Sequence, residues 1–145
     1  MQGHWIPGKF PKNVAKTIAS TARARPAKSS KCTGSEGELL AALALQKKGM
    51  EIIGRNIRCK TGEIDLAVLD GNDLVFVEVK NWPCNGMEDL AYGINRKKQR
   101  RIIETAKYFL DTHREYNNRS IRFDVVFLRP GEPMVHLASA FTESQ

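Results

Sequence analysis

No apolar run in these 145 residues approaches the roughly 20 residues that a helical membrane span needs; the longest is Leu39 to Leu45. No contact with a membrane is expected. Cysteine is scarce: Cys32, Cys59 and Cys84 are odd in number and show no close paired spacing. That argues against a disulfide framework and a zinc cluster, and suits a reducing, cytoplasmic setting. Histidine is as thin. His4, His113 and His136 are scattered, so neither a histidine metal cluster nor a nucleophile–histidine pair can be read. No secretory apolar region and no internal repeat is present.

Acidic residues are missing altogether from the first 31 positions, which hold seven of the 23 Lys and Arg. Residues 32–145 then carry 16 of each sign, so the net charge of +7 lives in the N-terminal segment. Residues 1–31 are expected to form a disordered or weakly structured arm, with a frayed helix over Val14 to Ala24 as a further option. Their basic, acid-free composition also resembles an organelle transit peptide. Such an arm is an electrostatic handle for nucleic acid or a plain soluble extension. Residues 32–145 make one domain, long enough to bury a core without staples.

What is there is a regular alternation of elements. Ser35 to Gly49 reads as a helix, with Leu39, Leu40, Leu43, Ala44 and Lys47 at helical spacing, Ser35 as its cap and Gly49 as its stop. Met50 to Arg58 reads as a strand. Two more strands follow, joined at Asp70-Gly71-Asn72-Asp73. Asn81 to Met87 is a loop marked by Pro83 and Gly86. Ile94 to His113 is a second helix that buries Ile102, Ile103, Ala106, Phe109 and Leu110. Ile121 to Leu128 is a strand, Pro130-Gly131 a turn, and Met134 to Leu137 a short final strand. A long helix between strands permits a crossover, so a mixed sheet covered by helices is expected.

The most informative segment is the hairpin Gly62-Glu63-Ile64-Asp65-Leu66 to Val75-Phe76-Val77-Glu78-Val79-Lys80. With Gly71-Asn72 at its tip, Asp65 stands opposite Glu78 and Glu63 opposite Lys80. Side chains alternate. One face then carries Ile64, Leu66, Val68, Val75, Val77 and Val79. The other carries Ala67, Leu69, Leu74 and Phe76, then the charged quartet at the open end. A sheet apolar on both faces is buried on both. Two directly opposed carboxylates at its margin repel, and burial sharpens the repulsion. A divalent cation with oxygen ligands would compensate; a strand end open to water would need no compensation.

Six segments taken in order resemble one family. They are Gly37-Glu38-Leu39-Leu40-Ala41, Gly62-Glu63-Ile64-Asp65-Leu66, Phe76-Val77-Glu78-Val79-Lys80, Lys98-Gln99-Arg100-Arg101, Arg122-Phe123-Asp124-Val125-Val126, and His136 to Phe141. The sequence is similar to the YraN family of small bacterial proteins, within the restriction-endonuclease-like, PD-(D/E)xK nuclease superfamily. The resemblance implies a mixed β-sheet flanked by helices in the order αβββαβ(β). It implies a metal-dependent endonuclease that hydrolyses phosphodiester bonds of nucleic acid, with DNA, branched or damaged, as the expected substrate. Glu38, Asp65, Glu78 and Lys80 match the catalytic positions. Asp65 and Glu78 would hold Mg²⁺ or Mn²⁺, with Glu38 adding a direct or water-mediated ligand. The ion would polarise the phosphate and acidify a water. Lys80 would orient that water or stabilise the charge developing on phosphorus. A homodimer is one assembly this picture leaves open.

The remaining candidates have ordinary readings beside the functional ones. Glu63 is either a supporting partner behind Lys80 or a cross-strand ion pair of little value. Arg96, Lys97, Lys98, Gln99, Arg100 and Arg101 open a helix with five cations against its dipole, which local stability does not explain and phosphate contact would. A solvated helix face is the alternative. Asp124 is expected to be a structural partner of Arg122 or of a backbone group, and His136 to be structural or interfacial. Trp82 stands where relatives carry Arg, which removes one phosphate contact and offers a stacking surface. Two rivals to the enzyme remain: a non-catalytic nucleic-acid-binding module of the same fold, and a protein-interaction adaptor with a vestigial acidic site.

Overall fold

A computed structural model describes residues 34–81, 94–129 and 131–143. The basic arm 1–31, Trp82 and most of the Asn81 to Met87 loop lie outside the described residues. The elements run α1 (Gly34–Lys47), β1 (Glu51–Cys59), β2 (Gly62–Asp70), β3 (Asp73–Asn81), α2 (Arg96–Thr112), β4 (Ser120–Leu128) and β5 (Val135–Phe141), with a short 3-10 turn over Arg114–Tyr116. The five strands form one sheet in sequence order. Pairing is antiparallel except between β3 and β4, which run parallel around α2. This is the mixed sheet flanked by helices, in restriction-endonuclease-like order, that the sequence implied.

Both faces are buried. On one, Leu66, Val68, Val75, Val77 and Val126 pack against Ala41, Ala42 and Leu45 of α1. On the other, Ala67, Leu74, Phe76, Phe123, Val125 and Phe127 pack against Ile102, Ile103, Ala106 and Phe109 of α2. The buried stripe of α1 is thus set mainly by small residues, and Leu40 is exposed, contrary to the expected stripe. Alanines let the helix lie close to the sheet where leucines would hold it off. The helix ends where expected. Gly49 has φ 91°, Gly49 N–H bonds to Gln46 O (2.9 Å) and Met50 N–H to Leu45 O (3.1 Å), which is the Schellman closure that glycine permits. Ser35 lies inside the helix and does not cap it.

The hairpin register is the expected one. Asp70 pairs with Asp73 across a tip in which Gly71 has φ 60°, and pairing continues through Val68↔Val75 to Leu66↔Val77. There the paired stretch ends. β2 goes on pairing with β1 as far as Cys59↔Gly62, and β3 with β4 as far as Asn81↔Leu128. The sheet therefore forks below Leu66 and Val77.

One face assignment is corrected. Ile64 packs in the α2-side cluster, opposite Leu66. The cause lies in β1, where Asn56 has φ 48° between the pairs Arg55↔Leu66 and Ile57↔Ile64. A left-handed residue breaks the two-residue alternation. Ile57 accordingly packs against the α2-side cluster together with Ile64.

Candidate functional site

Asp65 and Glu78 are the first residues past the last β2–β3 pair. The Val79 N–H, which faces the gap, donates to Asp65 Oδ2 at 2.8 Å. The carboxylate thus takes over a bond that a backbone carbonyl would otherwise make, and is fixed at the mouth of the fork. Asp65 and Glu78 stand close enough for each to shift the other's carboxyl. Glu78 is buried, and its carboxyl is pushed up to about 7, first by burial and then by the Asp65 charge. Asp65 is likewise raised by burial, against the pull of its bonds from Val79 and Glu78. Lys98 of α2 forms an ion pair with Glu78 Oε1.

Two further candidates stand beside this pair. Lys80 is lowered from its usual value by burial and then by the Lys98 charge, while Glu78 works the other way. Glu38 of α1 is half-buried and raised by burial and by the Asp65 charge; Arg55 and a hydrogen bond from Asn56 hold it down. Its Oε2 atom is buried with no hydrogen-bond partner. The fork therefore gathers Glu38, Asp65, Glu78 and Lys80 into one electrostatic neighbourhood, with Lys98 added to it.

Glu63 is placed differently. It pairs with Arg58 in register, with an exposed ion pair of 3.4 Å across β1. The strands have parted before a Glu63–Lys80 register pair can form. Its charge still reaches Glu38 and Asp65, raising both.

The basic run at the start of α2 divides. Asn95 caps the helix, its Oδ1 accepting from Lys98 N–H at 2.9 Å. Lys98 turns to the acids. Arg96, Gln99 and Arg100 line an open groove of about 500 Å³ beside the end of β5, together with Lys107, which pairs there with Glu104 and Glu143. Gln99 also donates to Ile94 O at 3.0 Å. Lys97 is exposed, and Arg101 runs against β2, where a Cβ on Gly62 would meet its Cβ at 3.0 Å. Gly62 is thus required by the close passage of α2. The roles of Asn56 and Lys98 inside the site escaped the sequence reading. An Asn at the centre of β1, a residue type that tolerates the left-handed region, was the available signal for the first.

Among the described residues no three His, Cys, Asp or Glu side chains are grouped closely enough to hold a metal ion. The donor chemistry nevertheless fits a hard cation. Buried Glu78 and half-buried Asp65 stand side by side, and a third acid, Glu38, has a buried, unpartnered oxygen. Asp65 and Glu78 would hold the ion, with Glu38 behind them.

These acids have a measurable cost in the metal-free protein. Glu78, Asp65 and Glu38 are all raised in the fold, so the unfolded chain ionises first as pH rises. Their contribution is favourable below each group's ordinary value, 4.5 for Glu78, and for Glu78 is lost as pH climbs through about 7. In chelator, wild type should therefore lose stability relative to Glu78→Gln across that window, by on the order of a few kcal/mol. Urea unfolding of both chains at a series of pH values measures it. A constant difference would mean that Glu78 ionises normally.

A forked, restriction-endonuclease-like sheet with two carboxylates at the fork defines the structural class. Within it the chain belongs to the uncharacterised protein family UPF0102, the YraN family, whose model matches residues 37–128. A UPF0102 protein of Treponema pallidum (strain Nichols) is 45% identical over 123 residues, covering 80% of this chain and 97% of the relative. One from Treponema denticola is 45% identical over 121 residues (74% and 93%). One from Alcanivorax borkumensis is 40% identical over 103 residues (71% and 82%). No helix among the described residues is long and apolar enough to cross a membrane.

Proposed function

We propose that this protein is a metal-dependent nuclease that hydrolyses phosphodiester bonds, with DNA as substrate. The observation that carries the reading is the pair at the fork, buried Glu78 beside half-buried Asp65. Binding nucleic acid needs no buried acids, and two such acids cost stability unless a cation joins them. The ion, Mg²⁺ or Mn²⁺, would supply Lewis acidity towards the phosphate and a more acidic water.

The chain's own groups divide the remaining work. Asp65, tied to Val79 N–H, keeps its second oxygen available to the site. Glu78 takes up and gives up its proton near neutral pH, since its carboxyl is raised to about 7. Lys80, on the same strand and two residues on, offers an ammonium to the charge that develops on the phosphate oxygens. Arg96 and Arg100 on α2 would contact the backbone, and the basic arm 1–31 would add sequence-independent attraction.

The test is a panel of linear, branched, single-stranded and RNA substrates, each with Mg²⁺, Mn²⁺ and chelator. Metal-dependent cleavage of at least one substrate is expected. Metal-independent binding with no cleavage of any substrate would put the binding module first.

A further inference from the structure

We propose that Lys98 is a built-in stand-in for the cation. Its ammonium holds the carboxylate pair while no divalent ion is bound, yields that place to the ion, and then becomes a phosphate-binding group. The inference rests on the reading of the fork as a cation site and adds its regulation.

Lys98 differs from every other cation in the run Arg96 to Arg101. It alone forms an ion pair with an acid of the fork, while Arg96, Gln99 and Arg100 line the groove. Its backbone is fixed, because the Lys98 N–H is held by the Asn95 cap at 2.9 Å. Its side chain is 42% exposed whereas that of Glu78 is 5% exposed. The ammonium can therefore swing into water on its flexible stem, and the carboxylate cannot follow.

Charge makes the two occupants exclusive. The fork already holds the ammoniums of Lys80 and Lys98 against Asp65 and Glu78. A dication beside Glu78 would meet the Lys98 ammonium at contact range in a half-buried setting, where like charges repel strongly. Once released from Glu78, Lys98 stays at the first turn of α2 beside the fork, where a phosphate brought to the ion would meet it. Metal loading thus turns an internal counter-ion into a substrate contact, so ion and nucleic acid should bind cooperatively.

The experiment titrates Mn²⁺ into full-length wild type and Lys98→Met at pH 8 without nucleic acid, read by the loss of free-ion signal in electron paramagnetic resonance. Lys98→Met keeps the apolar stem and removes the charge, and should bind Mn²⁺ about tenfold more tightly. Lys98→Gln serves as the second variant, with thermal unfolding checking that each chain is folded. A labelled DNA duplex is then titrated with and without Ca²⁺. Ca²⁺ should raise the DNA affinity of wild type severalfold more than that of Lys98→Met, which keeps the ion's own contact with phosphate and lacks the ammonium; an equal gain in both overturns the phosphate-binding part of the role. Equal or weaker Mn²⁺ binding by both folded variants overturns the stand-in role alone. No Mn²⁺ bound by wild type or by either variant overturns the cation reading of the fork, and this role with it.

Discussion

Asp65→Asn should lower the rate of phosphodiester cleavage by about 10³-fold, since removing a ligand forfeits several kcal/mol of stabilisation by the ion. The same variant should be at least as stable as wild type when metal is absent. Asparagine keeps an oxygen to accept from Val79 N–H, so the fork stays anchored. It removes one of two mutually repelling charges, and Glu78 no longer pays for its neighbour. Lys80→Ala should slow cleavage by about 10²-fold while leaving Mn²⁺ binding in place, because its charge is needed as the phosphate gains charge. Single-turnover cleavage of whichever substrate wild type cuts, with urea unfolding in chelator, measures both. Wild-type rates in Asp65→Asn would remove Asp65 from the chemistry. A loss of stability there would make its charge structural.

Asp124→Ala should destabilise the fold by about 3–5 kcal/mol. Asp124 is fully buried on the α1 side of β4. It accepts from Arg122 Nε and Nη2, both at 2.9 Å, from His136 Nε2 at 2.7 Å, and from Ser139 N–H at 3.0 Å. Arg122 in turn reaches Asp70 and Asp73 at the hairpin tip, and His136 Nδ1 meets Lys48 Nζ at 3.3 Å. Removing the carboxylate leaves the half-buried Arg122 with only its hairpin-tip partners, and deprives the His136 ring and the Ser139 N–H of their acceptor. Burial alone would raise the Asp124 carboxyl. The hydrogen bonds from His136, Arg122 and Ser139 overcome that and hold it below the usual range. A depressed carboxyl contributes stability that is present above its unfolded value and lost as pH falls through its folded one. The deficit of the variant should thus be full at pH 7 and shrink only in acid, below about pH 4. Urea unfolding at pH 7 and pH 3 checks both ends. A loss under 1 kcal/mol at pH 7 would make the cluster ornamental.

Local chemistry made much of this legible. Gly71-Asn72 between two alternating strands fixed the register at Leu66↔Val77. Gly49 marked the end of α1. The apolar spacing in α2 named its buried residues, with Leu110 the one that stays half-buried. Asp124 was expected to serve Arg122 or a backbone group and serves both. The misses share a cause, because each depends on a contact between elements. Strict alternation put Ile64 with Leu66 and Glu63 with Lys80, but the left-handed Asn56 and the fork break the pattern. Nothing in the helical spacing of Leu39 to Leu45 says that small residues must face the sheet. The run Arg96 to Arg101 reads as one basic patch, and only the docking of α2 turns Lys98 to Glu78. β5 reaches Phe141, beyond the expected Leu137, since Phe141 stacks on Phe123 at 5.0 Å although the strand between is exposed.

The central claim is that the carboxylates at the fork form a cation site. A crystal grown with Mn²⁺ and measured at the manganese absorption edge tests it most directly. An anomalous peak is expected between the carboxylates of Asp65 and Glu78, with the Lys98 ammonium withdrawn from Glu78. A fully folded protein in Mn²⁺ with no peak at the fork, and with Lys98 still on Glu78, would contradict it.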